Sequence, residues 1–221
     1  MIINQKNTDM KKLIALFILL GLFSFVYNNY TDLPFYKKEL SDSSELNDGD
    51  IIFHTSQSSQ SQMLQVATNS ELTHVGIIFF KNGLPYVFEA VQPVKITRLE
   101  DFIARGVDSK YKIVRYKDGL TKEQIDLGIA YSKKQLGKNY DIKFQWSDSK
   151  MYCSELVWKV YKEMGINLCE PKSFSNYNIS SPEVQKAIKQ RYGTTFNMDE
   201  QVVAPVDIYK SSLVETVFNT L

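Results

Sequence analysis

Thiols and imidazoles are the side chains best suited to nucleophilic chemistry near neutral pH, and this 221-residue chain has only two of each: Cys153, Cys169, His54 and His74. Cys153 lies in Met151-Tyr152-Cys153-Ser154-Glu155-Leu156-Val157, which reads as the first turn of a helix. There the positive end of the helix dipole favours thiolate over thiol, and backbone N–H groups without intrahelical partners are available to an oxyanion. The competing reading is a small inert core residue, the commonest fate of a lone cysteine. Cys169 falls in a loop with no such setting and reads as structural. A Cys153–Cys169 disulfide suits an exported protein but would occupy the candidate nucleophile. His74 opens a strand, and Glu89 stands between Phe88 and Ala90 in another strand whose neighbours look buried. A carboxylate there needs a partner, because burying an unpaired charge is costly.

The two strands are joined by Lys81-Asn82-Gly83-Leu84-Pro85, and Asn-Gly is a strong hairpin signal. With Asn82-Gly83 as a two-residue turn, paired residue numbers sum to 165, and Glu89 falls diagonal to His74 on the same sheet face. Diagonal neighbours lie about 7–8 Å apart at the backbone, a gap that a glutamate and an imidazole bridge. A one-residue slip would put them on opposite faces.

The elements that must position these groups are short. Asp50–His54 reads as a buried strand and Ser61–Thr68 as a helix carrying Met63, Leu64 and Val66. His74–Phe80, Tyr86–Val91 and Tyr111–Tyr116 read as strands on β-branched and aromatic content. Thr97-Arg98-Leu99-Glu100 and Thr121-Lys122-Glu123-Gln124 both have capping-box spacing. The helix after Thr121 puts Ile125, Leu127, Ile129 and Leu136 mostly inward and stops at Gly137. The cysteine helix runs to Met164, capped by Ser149 or a near neighbour, with Leu156, Val157, Val160 and Met164 at helical spacing. Ile166–Ser180 reads as loop, and Ser181-Pro182 as the cap and first turn of a short helix. Strands in succession with helices to the sides predict an α+β fold.

Composition excludes several functions. Lys+Arg total 26 against 25 Asp+Glu, a net charge of +1, which is not the basic footprint of a nucleic-acid binder. No Cys/His cluster has zinc spacing. At the N-terminus, Lys6, Lys11 and Lys12 precede an uncharged apolar run, Leu13–Tyr27. Its 15 residues fit a signal h-region better than a spanning helix of roughly 17–25. It lacks an A-x-A cleavage site, so residues 1–27 are read as either a signal peptide or a retained membrane anchor rather than a core helix. Residues 28–45 read as a linker, broken by Pro34, and 46–221 as the globular domain. The expected location is the cell envelope, exported or outward-facing.

Leu46-Asn47-Asp48-Gly49-Asp50-Ile51-Ile52-Phe53 followed by Thr73-His74-Val75-Gly76-Ile77-Ile78 resembles the signature of NlpC-type papain-fold peptidases. In those enzymes the nucleophilic cysteine precedes that signature; here Cys153 comes after it, within Tyr-Cys-Ser-Glu-Leu-Val. That order resembles the circularly permuted YiiX/YaeF-like amidases, over roughly residues 46–165. The resemblance implies a permuted papain-like fold, with the cysteine helix packed on an antiparallel sheet that carries the histidine. It implies Cys153 as nucleophile, His74 as base and Glu89 as third member of a triad, with no cofactor or metal required. His54 matches no catalytic position and is read as structural or substrate-lining. Tyr152 and the Ser56–Gln62 segment are read as pocket residues. The expected activity is amide hydrolysis on a peptide or peptidoglycan fragment. The alternatives are a thioesterase or acyltransferase on lipids, or an inactive membrane-anchored binding module.

Overall fold

The computed structural model describes residues 45–221, Ser59 excepted. The apolar run 13–27 and the linker 28–45 lie outside the described residues, apart from Glu45. The globular unit begins at Asn47. Ile51–His54 is buried at every position, and it forms β1, near the centre of a six-stranded sheet. The strands are β1 (Ile51–His54), β2 (His74–Lys81), β3 (Leu84–Glu89), β4 (Lys95–Arg98), β5 (Lys112–Tyr116) and β10 (Val214–Asn219). Their order is β10-β5-β1-β2-β3-β4, with every pairing antiparallel. Helices α1 (Ser61–Thr68), α2 (Leu99–Ala104), α3 (Lys122–Gln135), α4 (Cys153–Glu163), α5 (Pro182–Tyr192) and α6 (Pro205–Tyr209) complete an α+β architecture. Two small ladders pair β6 (Asn139–Tyr140) with β7 (Lys150–Met151), and β8 (Lys172–Ser173) with β9 (Gln201–Val202).

The β2–β3 register sums to 165, from Lys81↔Leu84 to Gly76↔Glu89. Asn82 and Gly83 both have positive φ (53° and 77°), as the tight hairpin turn requires. Leu156, Val157, Val160 and Tyr161 of α4, with its C-cap Met164, are all buried, in one core with Phe53, Val75, Ile77 and Phe88. The opposite sheet face holds His54, His74 and Glu89, covered by Phe102 of α2. Gly76 makes that cover close. A Cβ there would sit 2.4 Å from Val87 Cγ1 and 3.3 Å from the Phe102 ring.

Five local expectations need correcting. Helix α4 starts at Cys153 with Tyr152 as its N-cap, not near Ser149. Glu155 accepts a hydrogen bond from the Tyr152 N–H (3.2 Å), and residues 150–151 pair as a strand instead. The Thr97 spacing is not a capping box. Arg98 is the N-cap of α2, and the Thr97 hydroxyl turns to Glu89. On α3, Leu127 and Leu136 are exposed, whereas Gly128, Ser132 and Gln135 are buried. Met164 lies directly over Gly128, where a Cβ would be 1.9 Å from Met164 Cε, so close helix–helix contact sets the inward face. The Thr121 capping box is present as read. Strand β3 ends at Glu89 rather than Val91, because the chain bends at residues 91–93. The loop 166–180 contains β8 and a short 3-10 turn, Phe174–Asn176.

Candidate active site

His74 opens β2 and Glu89 closes β3, so the hairpin register sets their separation. The His74 Nε2 to Glu89 Oε2 distance is 2.7 Å, with Glu89 fully buried. This leaves Nδ1 of the ring for the Cys153 thiol, which hydrogen-bonds to His74. The backbone N–H groups of Val75 and Ser154 also point to the sulfur, so α4 begins level with the start of β2. Three groups from three elements thus form one line: thiol, imidazole, carboxylate. The other oxygen of Glu89 accepts from the Thr97 hydroxyl and from the Arg105 guanidinium. Neither residue stands out in the sequence. Each lies far along the chain from His74 and declares itself only through the fold.

The electrostatics follow from these contacts. Burial alone would lower the His74 pKa, but the Cys153 thiolate and Glu89 outweigh it and raise it to about 9. Burial alone would likewise raise Cys153, yet the His74 ring and the Val75 and Ser154 N–H groups hold it below an ordinary thiol. Glu89 is lowered to about 2, because its bonds to His74, Arg105 and Thr97 more than offset its burial. The contacts thus favour ionisation of the thiol, protonation of the imidazole and ionisation of the carboxylate. Cys169 is the opposite case: burial raises its thiol to about 12. Both cysteines are free, so no disulfide occupies Cys153.

His54 sits opposite His74 across β1 and β2, with ring centroids 5.1 Å apart, and stacks on Phe102 at 4.5 Å. It is 1% exposed, and burial together with the nearby charged His74 and Arg105 lowers its pKa to about 3. It is a neutral ring behind the site and lines no cavity at Cys153.

A cavity of about 80 Å³ opens beside Cys153 and runs between α1 and α5. Tyr152 lines it with its ring; its hydroxyl accepts from the Val203 N–H at 3.2 Å. Among the described residues of the Ser56–Gln62 segment, none lines it. Gln60 instead donates to the Tyr140 hydroxyl (3.1 Å) and accepts from Arg191 (3.3 Å). Tyr140 likewise carries no signal in the sequence. Its hydroxyl meets the Cys153 thiol, and burial raises its pKa well above the ordinary value.

Residues 45–218 match the permuted papain-like amidase enzymes of the YaeF/YiiX family. The chain belongs to this family. It is 44% identical to the uncharacterized protein YiiX of Escherichia coli over 170 residues, which are 76% of this chain and 84% of that one. A crystal structure described as metalloprotein yiiX from Escherichia coli superposes with a TM-score of 0.76 at 42% identity, covering 78% of this chain and 97% of the other. The fold is accordingly the permuted papain-like one, and the family is one of papain-like amidases.

Proposed function

We propose that the chain is a cysteine amidase in which Cys153 is the nucleophile, His74 the general base and acid, and Glu89 the residue that orients and charges the imidazole. The observation that carries this reading is the placement of His74 between the Cys153 thiol and the buried Glu89 carboxylate, 2.7 Å from its ring. The thiolate attacks the carbonyl carbon of an amide, and the C–S bond forms as the carbonyl electrons move to oxygen. The backbone N–H of Cys153, at the first position of α4, has no intrahelical acceptor and is available to that oxyanion. As the oxyanion collapses, the C–N bond breaks and His74 protonates the departing amine. His74 then takes a proton from water, the resulting hydroxide attacks the thioester, and the carboxylic acid leaves with the thiolate restored.

The substrate reading draws on the family and on the location expected from the N-terminal sequence. A peptide or peptidoglycan fragment fits an amidase, and residues 13–27 support an exported or outward-facing position in the envelope. A second reading, thioester or ester cleavage on lipids, is favoured by the apolar cavity beside Cys153, since the same thiolate attacks any activated carbonyl. The relative described as a metalloprotein raises the question of a metal here. Among the described residues no three His, Cys, Asp or Glu side chains converge on a point that could hold one. The ring nitrogen and both oxygens of the His74–Glu89 pair already have protein partners. These residues do not fit a metal site.

The test is labelling of the full chain with an acyl-directed thiol probe, followed by a screen of cell-wall peptides against lipid esters. Probe attached at Cys153 and turnover of an amide are expected. Labelling elsewhere, or no acyl transfer to any carbonyl substrate, would contradict the proposal.

A further inference from the structure

Both tryptophans of the chain, Trp146 and Trp158, line one open groove of about 550 Å³ beside α4. Their rings meet edge to face, with centroids 5.0 Å apart and planes at 70°, and both are only partly buried. Trp158 follows Cys153 by five residues on α4, about 7.5 Å along the helix axis. Phe144 and Val202 line the cavity at Cys153, while their near neighbours Trp146 and Gln201 line the groove, so the two hollows lie back to back. Partly exposed indoles rimmed by polar side chains are the mark of a binding surface.

The rim keeps its polar groups free. Among the described residues nothing accepts from the Trp146 indole N–H, and neither the Asp199 carboxylate nor the Lys162 ammonium has a hydrogen-bond or ion-pair partner. Asn197 accepts from the Asp199 N–H through Oδ1 (3.0 Å), which leaves its N–H₂ group to donate. The groove therefore offers donors and an acceptor around flat apolar rings. Its charges disfavour an ionic ligand of either sign. A cation would meet Lys159 and Lys162, which already stand over the two rings at 5.2 and 5.5 Å. An anion would meet Glu170, Asp199 and Glu200. A polyproline segment brings carbonyl acceptors but no N–H, and would leave Asp199 without a donor. A sugar ring has an apolar C–H face and a rim of hydroxyls that both donate and accept. The first suits the indoles and the second suits the rim.

We propose that this groove is a saccharide-binding site separate from the catalytic centre: a neutral pyranose ring lies with its C–H face on the indoles, and its hydroxyls donate to Asp199 and accept from Asn197, Lys162 and the Trp146 N–H. Binding there does not depend on the reading of Cys153 as nucleophile. Where that reading holds, the groove keeps a glycan-linked substrate close to the thiol.

Because the groove holds every tryptophan of the chain, indole emission reports on it alone. The full chain carrying Cys153→Ala, which separates recognition from turnover, is titrated with triacetylchitotriose, cellotriose, maltotriose and a decaproline peptide. At least one trisaccharide is expected to shift the emission saturably, with a Kd in the millimolar range or tighter. The order of the three identifies the ring and linkage that the groove prefers. Calorimetry on variants then locates the contacts. Asp199→Ala, a change at an exposed side chain, should weaken the preferred sugar by about tenfold. Trp146→Ala should also weaken it by about tenfold. Should that variant not fold, the Asp199→Ala comparison still decides. No saturable response to any trisaccharide, a response to decaproline alone, or an affinity unchanged in Asp199→Ala would overturn the proposal. Acyl-probe labelling of the unmodified chain is read separately. Sugar binding without labelling at Cys153 upholds the groove and contradicts the nucleophile reading, and labelling without sugar binding does the reverse.

Discussion

Replacing Glu89 by Gln removes one charge and keeps the shape, and the contacts of the carboxylate determine the consequence. In the native site one carboxylate oxygen faces His74, while the other faces Thr97 and Arg105. A glutamine has only one acceptor oxygen, and the Arg105 cation and Thr97 hydroxyl both need it. Its amide N–H₂ then faces Nε2 of His74, which must become an acceptor. That tautomer carries its proton on Nδ1 and cannot take the proton of the thiol. The charge loss adds to this. His74 rises from its ordinary 6.5 to about 9 through Cys153 and Glu89 together, against its burial. At 1.36 kcal/mol per pH unit this is about 3 kcal/mol of preference for the charged ring. If Glu89 supplies roughly half, its removal costs about tenfold in rate, and the wrong tautomer brings the total to about 100-fold in kcat/KM. The sign is definite. A less stabilised imidazolium lowers the pKa of His74 and raises that of Cys153, so the pH–rate bell narrows from both sides. The assay is kcat/KM against pH for Glu89→Gln, alongside its thermal midpoint. A variant with an unchanged bell and only a lowered melting temperature would refute the reasoning and make Glu89 structural.

Other expectations are more direct. Cys153→Ala abolishes hydrolysis while Cys169→Ala leaves it nearly intact, measured as turnover in folded variants; equal losses would contradict the assignment. Thr97→Val deprives Glu89 of one donor and should lower kcat/KM by about 2–10-fold, with a melting temperature close to native. Gly76→Ala places a methyl 2.4 Å from Val87 Cγ1, so denaturant unfolding should show a loss of about 1–3 kcal/mol. The stabilising contribution of Glu89 is full above its ordinary 4.5 and lost as pH falls toward about 2. Acid unfolding of Glu89→Gln should therefore lack that part of the native dependence. A reporter active only in the cytoplasm, fused after Leu221, should be silent if residues 13–27 export the chain.

The hairpin is the most legible part of the sequence, because Asn82-Gly83 fixes the turn and the turn fixes the register of both strands. The His74–Glu89 contact is readable from that register alone. The start of α4 is less legible, since its cap is a backbone-to-Glu155 bond rather than the serine that cap statistics favour. The face of α3 misleads at Leu127 and Leu136, because helical periodicity marks where apolar residues recur but not which face a neighbouring helix approaches. Gly128, small enough to lie beneath Met164, decides it. Around the site, Thr97, Arg105 and Tyr140 leave no local signal. Thr97 even mimics a capping residue while its hydroxyl serves a carboxylate eight residues earlier. The elements after α5, including edge strand β10 with its register shift between Thr216 and Phe218, carry weak patterns and take their places from the sheet they join.

The central claim is that Cys153 is held as a thiolate by His74 and Glu89. The most direct measurement is the pH dependence of iodoacetamide alkylation in the native chain, resolved by peptide mass spectrometry at each cysteine. Cys153 is expected to alkylate with an apparent pKa below the ordinary thiol value of 9, and this midpoint should rise in Glu89→Gln, with Cys169 unreactive across the range. A Cys153 that titrates at or above 9, with a midpoint indifferent to Glu89, would contradict the claim.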